Sequence, residues 1–265
     1  MSLNGGAMSN IKIVFFDIDG TLLVPHTNEM SQKTLETLQK LRENGIKICV
    51  ATGRSPMGLP EFPGIEFDAY LTYNGSYCYT KDTTIFSNSI KKEDVKQILL
   101  NAETMGKNVI VAIKSQILAN GLDDVLKKFM AVENLEMEVS PDFEEKVKDE
   151  VYQVMLACCP EEYDAIMENV KHAKIATWWD KAIDIIPFNG GKGIGIASVL
   201  KYYGLKKDEA LAFGDGNNDI EMLQAVETGV AMGNASEDLK AVADFICKDV
   251  TEDGIYHFCV EHGFI

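Results

Sequence analysis

The segment Ile11 to Gly20, IKIVFFDIDG, limits what this chain can fold into more than any other. Its β-branched and aromatic run shows no polar alternation, so it reads as a strand buried on both faces. Such a strand belongs in the middle of a parallel sheet, with helices above and below. It ends abruptly in two carboxylates and a glycine, which puts a polar loop at its carboxyl end.

The same pattern recurs along the chain. A helix is expected from about Ser31, with Leu35, Leu38 and Leu41 on one side and Gly45 as its stop. Ile46 to Ala51 (IKICVA) reads as a second buried strand, ending in Thr52-Gly53-Arg54. Phe67 to Thr72 (FDAYLT) reads as a third, ending at Asn74-Gly75. Near residue 190 the pattern resumes, with a helix over 193–203 stopped by Gly204. A strand over 209–213 follows and runs into Gly214-Asp215-Gly216-Asn217-Asn218-Asp219. A helix carrying Ile220, Leu223 and Val226 and a short last strand, Gly229 to Met232, complete it. Strand, helix, strand in repetition predicts an α/β fold, a doubly wound, mostly parallel sheet with right-handed crossovers.

Between Tyr73 and Lys192 lie 118 residues, far more than a crossover needs. They carry their own periodicity. Val95, Ile98, Leu99, Ala102 and Met105 mark an amphipathic helix. Strands are expected over 109–113, 151–158 and 174–179, and helices near 121–133 and 160–171. The expected organisation is a core domain from 8–79 and 187–265 with an inserted α+β cap over 80–186. The first seven residues, MSLNGGA, read as a leader ahead of Met8.

Composition narrows the function. At 46% hydrophobic and 25% charged, the chain is too apolar to be disordered. No apolar run approaches the ~18 to 20 residues of a membrane helix. A net charge of −16 argues against nucleic acid, whose binding draws on Lys and Arg. A phosphate-bearing small molecule stays open, because one cation and two basic residues reverse the sign locally. Cys49, Cys78, Cys158, Cys159, Cys247 and Cys259 lack metal-ligand spacing and read as reduced thiols of a cytoplasmic protein. His26, His172, His257 and His262 show no ligand spacing either. The acidic stretch 133–150 reads as a solvated cap face, and Trp178-Trp179 as strand residues of which one packs into the cap.

Ligands of open α/β sheets bind outside the carboxyl ends of the strands. That edge should collect Asp17 and Asp19, Thr52 and Gly53, Asn74, and Asp215, Asn218 and Asp219. Two carboxylates about 4 Å apart repel by roughly 4 kcal/mol at an effective dielectric near 20. Several such pairs rival the whole stability of a domain, about 5 to 15 kcal/mol, so protonation or a bound cation must relieve them. An all-oxygen set without His or Cys favours a hard ion, and a site left open to water and phosphate favours Mg²⁺ over Ca²⁺. Taken singly, a DxD is a solvated loop, Thr52 a helix cap and Lys192 an exposed lysine.

Together, FFDIDGTLL, VATGR, NGGKG and FGDGNNDIEML resemble the four motifs of the haloacid dehalogenase-like phosphatases. YNGS followed by a cap of this length resembles their Cof-type (class IIB) sugar-phosphatase branch. The resemblance runs from about Ile11 to Ile265. Two departures stand out: a short, proline-broken stretch after Arg54 (SPMGLPEFPG), which bears on the pocket wall, and Ser76 in place of a small apolar residue. The resemblance implies that Asp17 is the nucleophile, forming an aspartyl-phosphate, and Asp19 the general acid and base. It also implies Mg²⁺ held by Asp17, the Asp19 carbonyl and Asp215, with Asp219 supporting from behind. Thr52, Gly53, Lys192 and Asn218 would grip the phosphoryl oxygens. Asn74 and Arg54 are candidate substrate contacts, although Arg54 could instead pair with a cap carboxylate. The expected partner is a small phosphate ester, with no nucleic acid and no membrane. Rival readings are a sugar phosphomutase using the same nucleophile and a non-enzymatic phospho-receiver domain.

Overall fold

The computed structural model describes residues 10–25, 27, 29–131, 136–176 and 180–265. The chain begins with β1 (Ile13–Phe16), α1 (Gln32–Glu43), β2 (Lys47–Ala51), β3 (Ala69–Thr72), β4 (Tyr77–Tyr79) and β5 (Thr84–Ser87). There follow α2 (Lys92–Thr104), β6 (Ile110–Ile113), β7 (Gln116–Ala119), α3 (Asp124–Ala131), α4 (Phe143–Lys146), β8 (Val151–Ala157), α5 (Tyr163–Ile166), β9 (Ala173–Ala176) and β10 (Ala182–Pro187). The last third holds α6 (Lys192–Tyr203), β11 (Ala210–Gly214), α7 (Ile220–Ala225), β12 (Thr228–Ala231), α8 (Glu237–Val242), β13 (Phe245–Ile246) and α9 (Gly254–Glu261).

Two sheets organise these elements. The larger runs β13-β12-β11-β1-β2-β3-β4-β5, parallel from β13 to β3 and antiparallel through β4 and β5. Chain order reverses at β1, so the crevice beyond its carboxyl end is the topological switch point. Alternation along each strand decides which helix covers which face. Val14, Phe16, Ile48, Val50, Leu211 and Phe213 pack against Leu38 and Leu41 of α1 and Ile255 and Phe258 of α9. Ile13, Phe15, Ala51, Leu71, Ala210 and Ala212 face Ile196 and Val199 of α6, Met222 and Leu223 of α7, and Leu239 of α8. Small residues on that second face let the helices come close. At Gly195 an added Cβ would sit 2.9 Å from the Leu71 side chain and 3.0 Å from the Gly75 backbone.

The smaller sheet, β7-β6-β8-β10-β9, is antiparallel throughout. One face carries Val111, Val154, Leu156, Ile183 and Ile185 against α2 and α5. The other packs Ile110, Ala112 and Met155 against Leu126, Phe129 and Met130 of α3, and also against Tyr73 and Tyr77 from the first sheet. The Tyr73 hydroxyl donates to the Ile113 carbonyl at 3.1 Å. The cap thus turns one sheet face toward the switch point.

The α/β expectation holds, with differences at the edges. The first sheet continues to Ser87, past the expected boundary at 79, because β4 and β5 fold back as an antiparallel meander. β13 lies beyond the strand expected to be last. In the 160–171 stretch, Pro160 opens only a 3₁₀ turn and α5 is a single turn, with Asn169 at φ +60° ending the segment. β7, α4 and β10 were not anticipated. The described part of the acidic stretch is largely exposed, with Phe143 its one buried residue. The leader, His26, Glu133 and Trp178-Trp179 lie outside the described residues.

Candidate active site

The site grows from the end of β1. The Asp17 amide donates to the Phe213 carbonyl at 3.0 Å, which registers the DIDGT loop against the end of β11. Gly20 holds φ +83°, and a Cβ there would lie 2.2 Å from an Asp215 carboxylate oxygen. Only glycine allows both the left-handed turn and this approach. Thr21 then donates its hydroxyl to Asp215 Oδ1 at 3.0 Å.

Lys192, the first residue of α6, is fully buried among these acids. Its ammonium lies 2.6 Å from Asp17 Oδ1 and 2.5 Å from Asp219 Oδ1. The second Asp219 oxygen accepts from the amides of Asp215 and Gly216, at 3.0 Å each. Asp219 therefore spends both oxygens on holding Lys192 and the GDGNND loop. Asp17, Asp215 and Asp219 each offer one oxygen within 4.8 Å of the others.

Three carboxylates around one ammonium leave excess negative charge in a buried place. Burial, with Asp219 and Asp19 nearby, pushes the Asp17 carboxyl up to about 7 despite Lys192. Burial, with Asp17 and Asp219, holds Asp215 well above the usual carboxylate range. Burial alone would lower the Lys192 ammonium, yet Asp17 and Asp219 keep it raised. An all-oxygen, electron-rich set of this kind fits a hard divalent cation.

The neighbouring strand ends supply the rest. Thr52 Oγ1 accepts from the Arg54 amide at 3.1 Å. Arg54 is buried, and its guanidinium forks onto Asp19, Nε to Oδ2 at 2.8 Å and Nη2 to Oδ1 at 2.6 Å. Its Nη1 donates to the Gly58 carbonyl at 2.9 Å, in the 3₁₀ turn that the proline-broken stretch forms. This core partner is one that neither reading of Arg54 had named. Asn74, left-handed at φ +52°, accepts from Asn218 Nδ2 at 3.2 Å and donates to Asp184 Oδ2 at 3.1 Å.

One cavity of about 130 Å³ is lined by Asp17, Asp19, Thr52, Gly53, Arg54, Asp215, Gly216 and Asn218, closed above by Phe129, Gln153 and Asp184 of the cap. Lys192 and Asp219 lie directly behind Asp17, and Asn74 beside Asn218. Every residue expected at the strand ends therefore meets at one place. The three cap residues escaped the sequence reading. The signal for two of them was a lone polar residue in each apolar run, Gln153 in VYQVMLA and Asp184 in AIDIIP.

The family model for haloacid dehalogenase-like hydrolases matches residues 14–259. The chain belongs to that family. Solved structures place this haloacid dehalogenase-like hydrolase further. It superposes on the HAD subclass IIB sugar phosphatase BT4131 with a TM-score of 0.90 at 32% identity, over 96% of this chain and 100% of the other. The phosphatase BT1666 from Bacteroides thetaiotaomicron gives 0.89 at 30% identity, over 100% and 99% of the two chains. The 5-amino-6-(5-phospho-D-ribitylamino)uracil phosphatase YitU of Bacillus subtilis (strain 168) is 27% identical over 264 residues, 94% of this chain and 97% of its own. This haloacid dehalogenase-like hydrolase is a phosphatase of the Cof type. Among the described residues no helix is long and apolar enough to cross a membrane.

Proposed function

We propose that this phosphatase is a Mg²⁺-dependent phosphomonoesterase of sugar phosphates, working through an aspartyl-phosphate on Asp17. The observation that carries the reading is the meeting of Asp17 and Asp215, from opposite ends of the chain, in one cavity with Thr52, Arg54 and Asn218.

Asp17, Asp215 and the Asp19 backbone carbonyl would hold Mg²⁺, which when bound supplies positive charge to the carboxylates and the phosphoryl oxygens. Asp219 stands behind, fixing Lys192 and the loop amides. Lys192 on Oδ1 sets the rotation of the Asp17 carboxylate. An Asp17 oxygen attacks phosphorus, the bond to the leaving oxygen breaks, and Asp19 gives that oxygen its proton. Asp19 then takes a proton from water, which attacks the same phosphorus and returns Asp17 to its starting state. Thr52, the Gly53 amide, Lys192 and Asn218 stabilise the phosphoryl oxygens as charge develops.

Arg54 occupies both oxygens of Asp19, so proton delivery requires that fork to open. An arriving phosphoryl anion competes for the same guanidinium and would open it. The cavity is comparable in size to one that holds a benzene-sized guest. A sugar must therefore enter as the cap lifts, parting Asn74 from Asp184 and the Lys174–Glu221 ion pair. A cytoplasmic location belongs to the same proposal and is supported by six free thiols.

The test is a sugar-phosphate panel with Mg²⁺ in ¹⁸O-water. Hydrolysis releases phosphate carrying ¹⁸O. Isomerised sugar without free phosphate would mean a mutase, and no reaction on any ester would refute the proposal.

A further inference from the structure

We propose that Asn234 is a positioning residue: with the turn that carries it, it holds the two acid-bearing loops at the spacing a bound cation needs. The inference rests on the Mg²⁺-dependent reading above and extends it to a residue that does not line the cavity.

The run Gly233-Asn234-Ala235-Ser236 leaves β12 and leads into α8, and the chemistry above uses none of it. Met232 still follows the sheet, its amide donating to the Gly214 carbonyl at 2.9 Å. The chain then turns past both loops. Asn234 Nδ2 donates to the Gly20 carbonyl at 2.8 Å, and its Oδ1 accepts from the Val250 amide at 3.0 Å. One partner only accepts and the other only donates, so together they fix which way the side-chain amide faces. Val250 is buried in the core of the first sheet, which gives Asn234 a firm anchor. Two residues on, the Ser236 amide donates to the Asp215 carbonyl at 2.9 Å, and its hydroxyl donates to Asn217 Oδ1 at 2.6 Å. A single turn thus straps the DIDGT loop to the GDGNND loop.

The electrostatics explain why such a strap is needed. Asp17 and Asp215 offer oxygens within 4.8 Å of each other. Binding a cation requires both in the ionised form, and two carboxylates that near repel each other. An oxygen spent on a neighbour is lost to the ion, so the loops are best held through their main chain. Asn234 Nδ2 and the Ser236 amide do this. Both are neutral donors, and both reach main-chain carbonyls, at Gly20 and Asp215. Gly20 also aims the Asp19 carbonyl proposed for the ion. Its amide shares a peptide plane with that carbonyl and donates to the Leu23 carbonyl at 2.9 Å. Asn234 anchors the next carbonyl along. With the peptides on both sides of Gly20 pinned, the Asp19 carbonyl keeps one orientation. Groups that orient a metal's ligands from the next layer out are worth about 10- to 100-fold in affinity.

The test joins calorimetric titration of Mg²⁺ at pH 8 with hydrogen exchange of the metal-free protein. Asn234→Ala should weaken Mg²⁺ affinity by about 10- to 100-fold. It should also speed amide exchange by about tenfold over the peptide from Ile18 to Leu23. Asn44→Ala is the reference for a merely structural loss. Asn44 makes the same kind of bond, Nδ2 to the Phe264 carbonyl at 2.8 Å, at the opposite edge of the sheet, and its variant should move neither readout. Should Asn234→Ala not fold, Asn234→Asp keeps the acceptor for Val250 and loses the donor for Gly20. Its added charge favours a cation, so weaker Mg²⁺ binding there still reports the lost Gly20 bond. Affinity and exchange equal to those of the unmodified protein, or an equal loss in Asn44→Ala, overturn the inference. An unmodified protein that takes up no Mg²⁺ would instead sink the metal reading, and exchange over residues 18–23 would then decide for or against the strap.

Discussion

Lys192 donates to Asp219 at 2.5 Å with both side chains fully buried, and the same ammonium reaches Asp17 at 2.6 Å. The lysine opens α6 and the aspartate ends the loop after β11, so the pair pins two chain segments behind the nucleophile.

With Asp219 removed, Lys192 keeps Asp17, so the cost is that of buried polar groups left unsatisfied, about 1–3 kcal/mol. Asp219→Ala also strips the acceptor from the Asp215 and Gly216 amides. We expect a loss in that range by urea denaturation of the metal-free protein, together with loss of turnover. A change under about 1 kcal/mol would show that the pair does not organise the site.

Proton and metal should compete at Asp17. Burial raises its carboxyl to about 7, and Asp215 also lies well above its ordinary range. A group raised in the folded state stabilises the fold below its unfolded value and loses that contribution as pH rises through the folded one. From these groups the metal-free protein therefore loses stability between about pH 4 and 7 and above. A bound cation needs the ionised form, so Mg²⁺ affinity should weaken about tenfold for each pH unit below about 7. Calorimetric titration across pH 5.5 to 8.5 tests this, with the melting-temperature gain from Mg²⁺ larger at pH 8 than at pH 6. Affinity independent of pH would contradict it.

Asp19→Ala should cost roughly 10² to 10⁴ in kcat on a sugar phosphate, the usual worth of general acid–base catalysis. An activated aryl phosphate, whose leaving group needs little protonation, should lose less. Arg54→Lys cannot fork both oxygens of Asp19 and still reach Gly58, so it should show the same split in milder form. Equal losses on both substrates would place Asp19 outside proton transfer.

Ser76 is fully buried and its hydroxyl has no hydrogen-bond partner among the described residues. Leaving such a group buried costs about 1–3 kcal/mol. Ser76→Ala should raise stability by about 1 kcal/mol in urea denaturation and leave kcat/KM unchanged. A destabilised variant would mean that the hydroxyl is satisfied.

The core was legible because buried parallel strands announce themselves twice, by apolar runs and by the acids and glycines that end them. IKIVFFDIDG and EALAFGDG gave β1, β11 and the edge where Asp17 and Asp215 meet. Arg54 showed its importance but not its partner, since Asp19 lies 35 residues away and sequence spacing carries no information on such a pair. The cap was harder. β10 contains AIDIIP, whose Asp184 interrupts the apolar run, and the 160–171 stretch kept helical periodicity that Pro160 and Asn169 cut short. Cavity-lining cap residues such as Gln153 and Asp184 become visible only when two strands pair and turn the same face to the cavity.

Acid-quenching the Mg²⁺-loaded Asp19→Ala variant soon after mixing with an aryl phosphate, and mapping the phosphoryl group by peptide mass spectrometry, tests the nucleophile directly. The account predicts a hydroxylamine-labile phosphoryl group on the peptide bearing Asp17, absent in Asp17→Asn. Undiminished turnover by Asp17→Asn, or a phosphoryl group on any other residue, would contradict it.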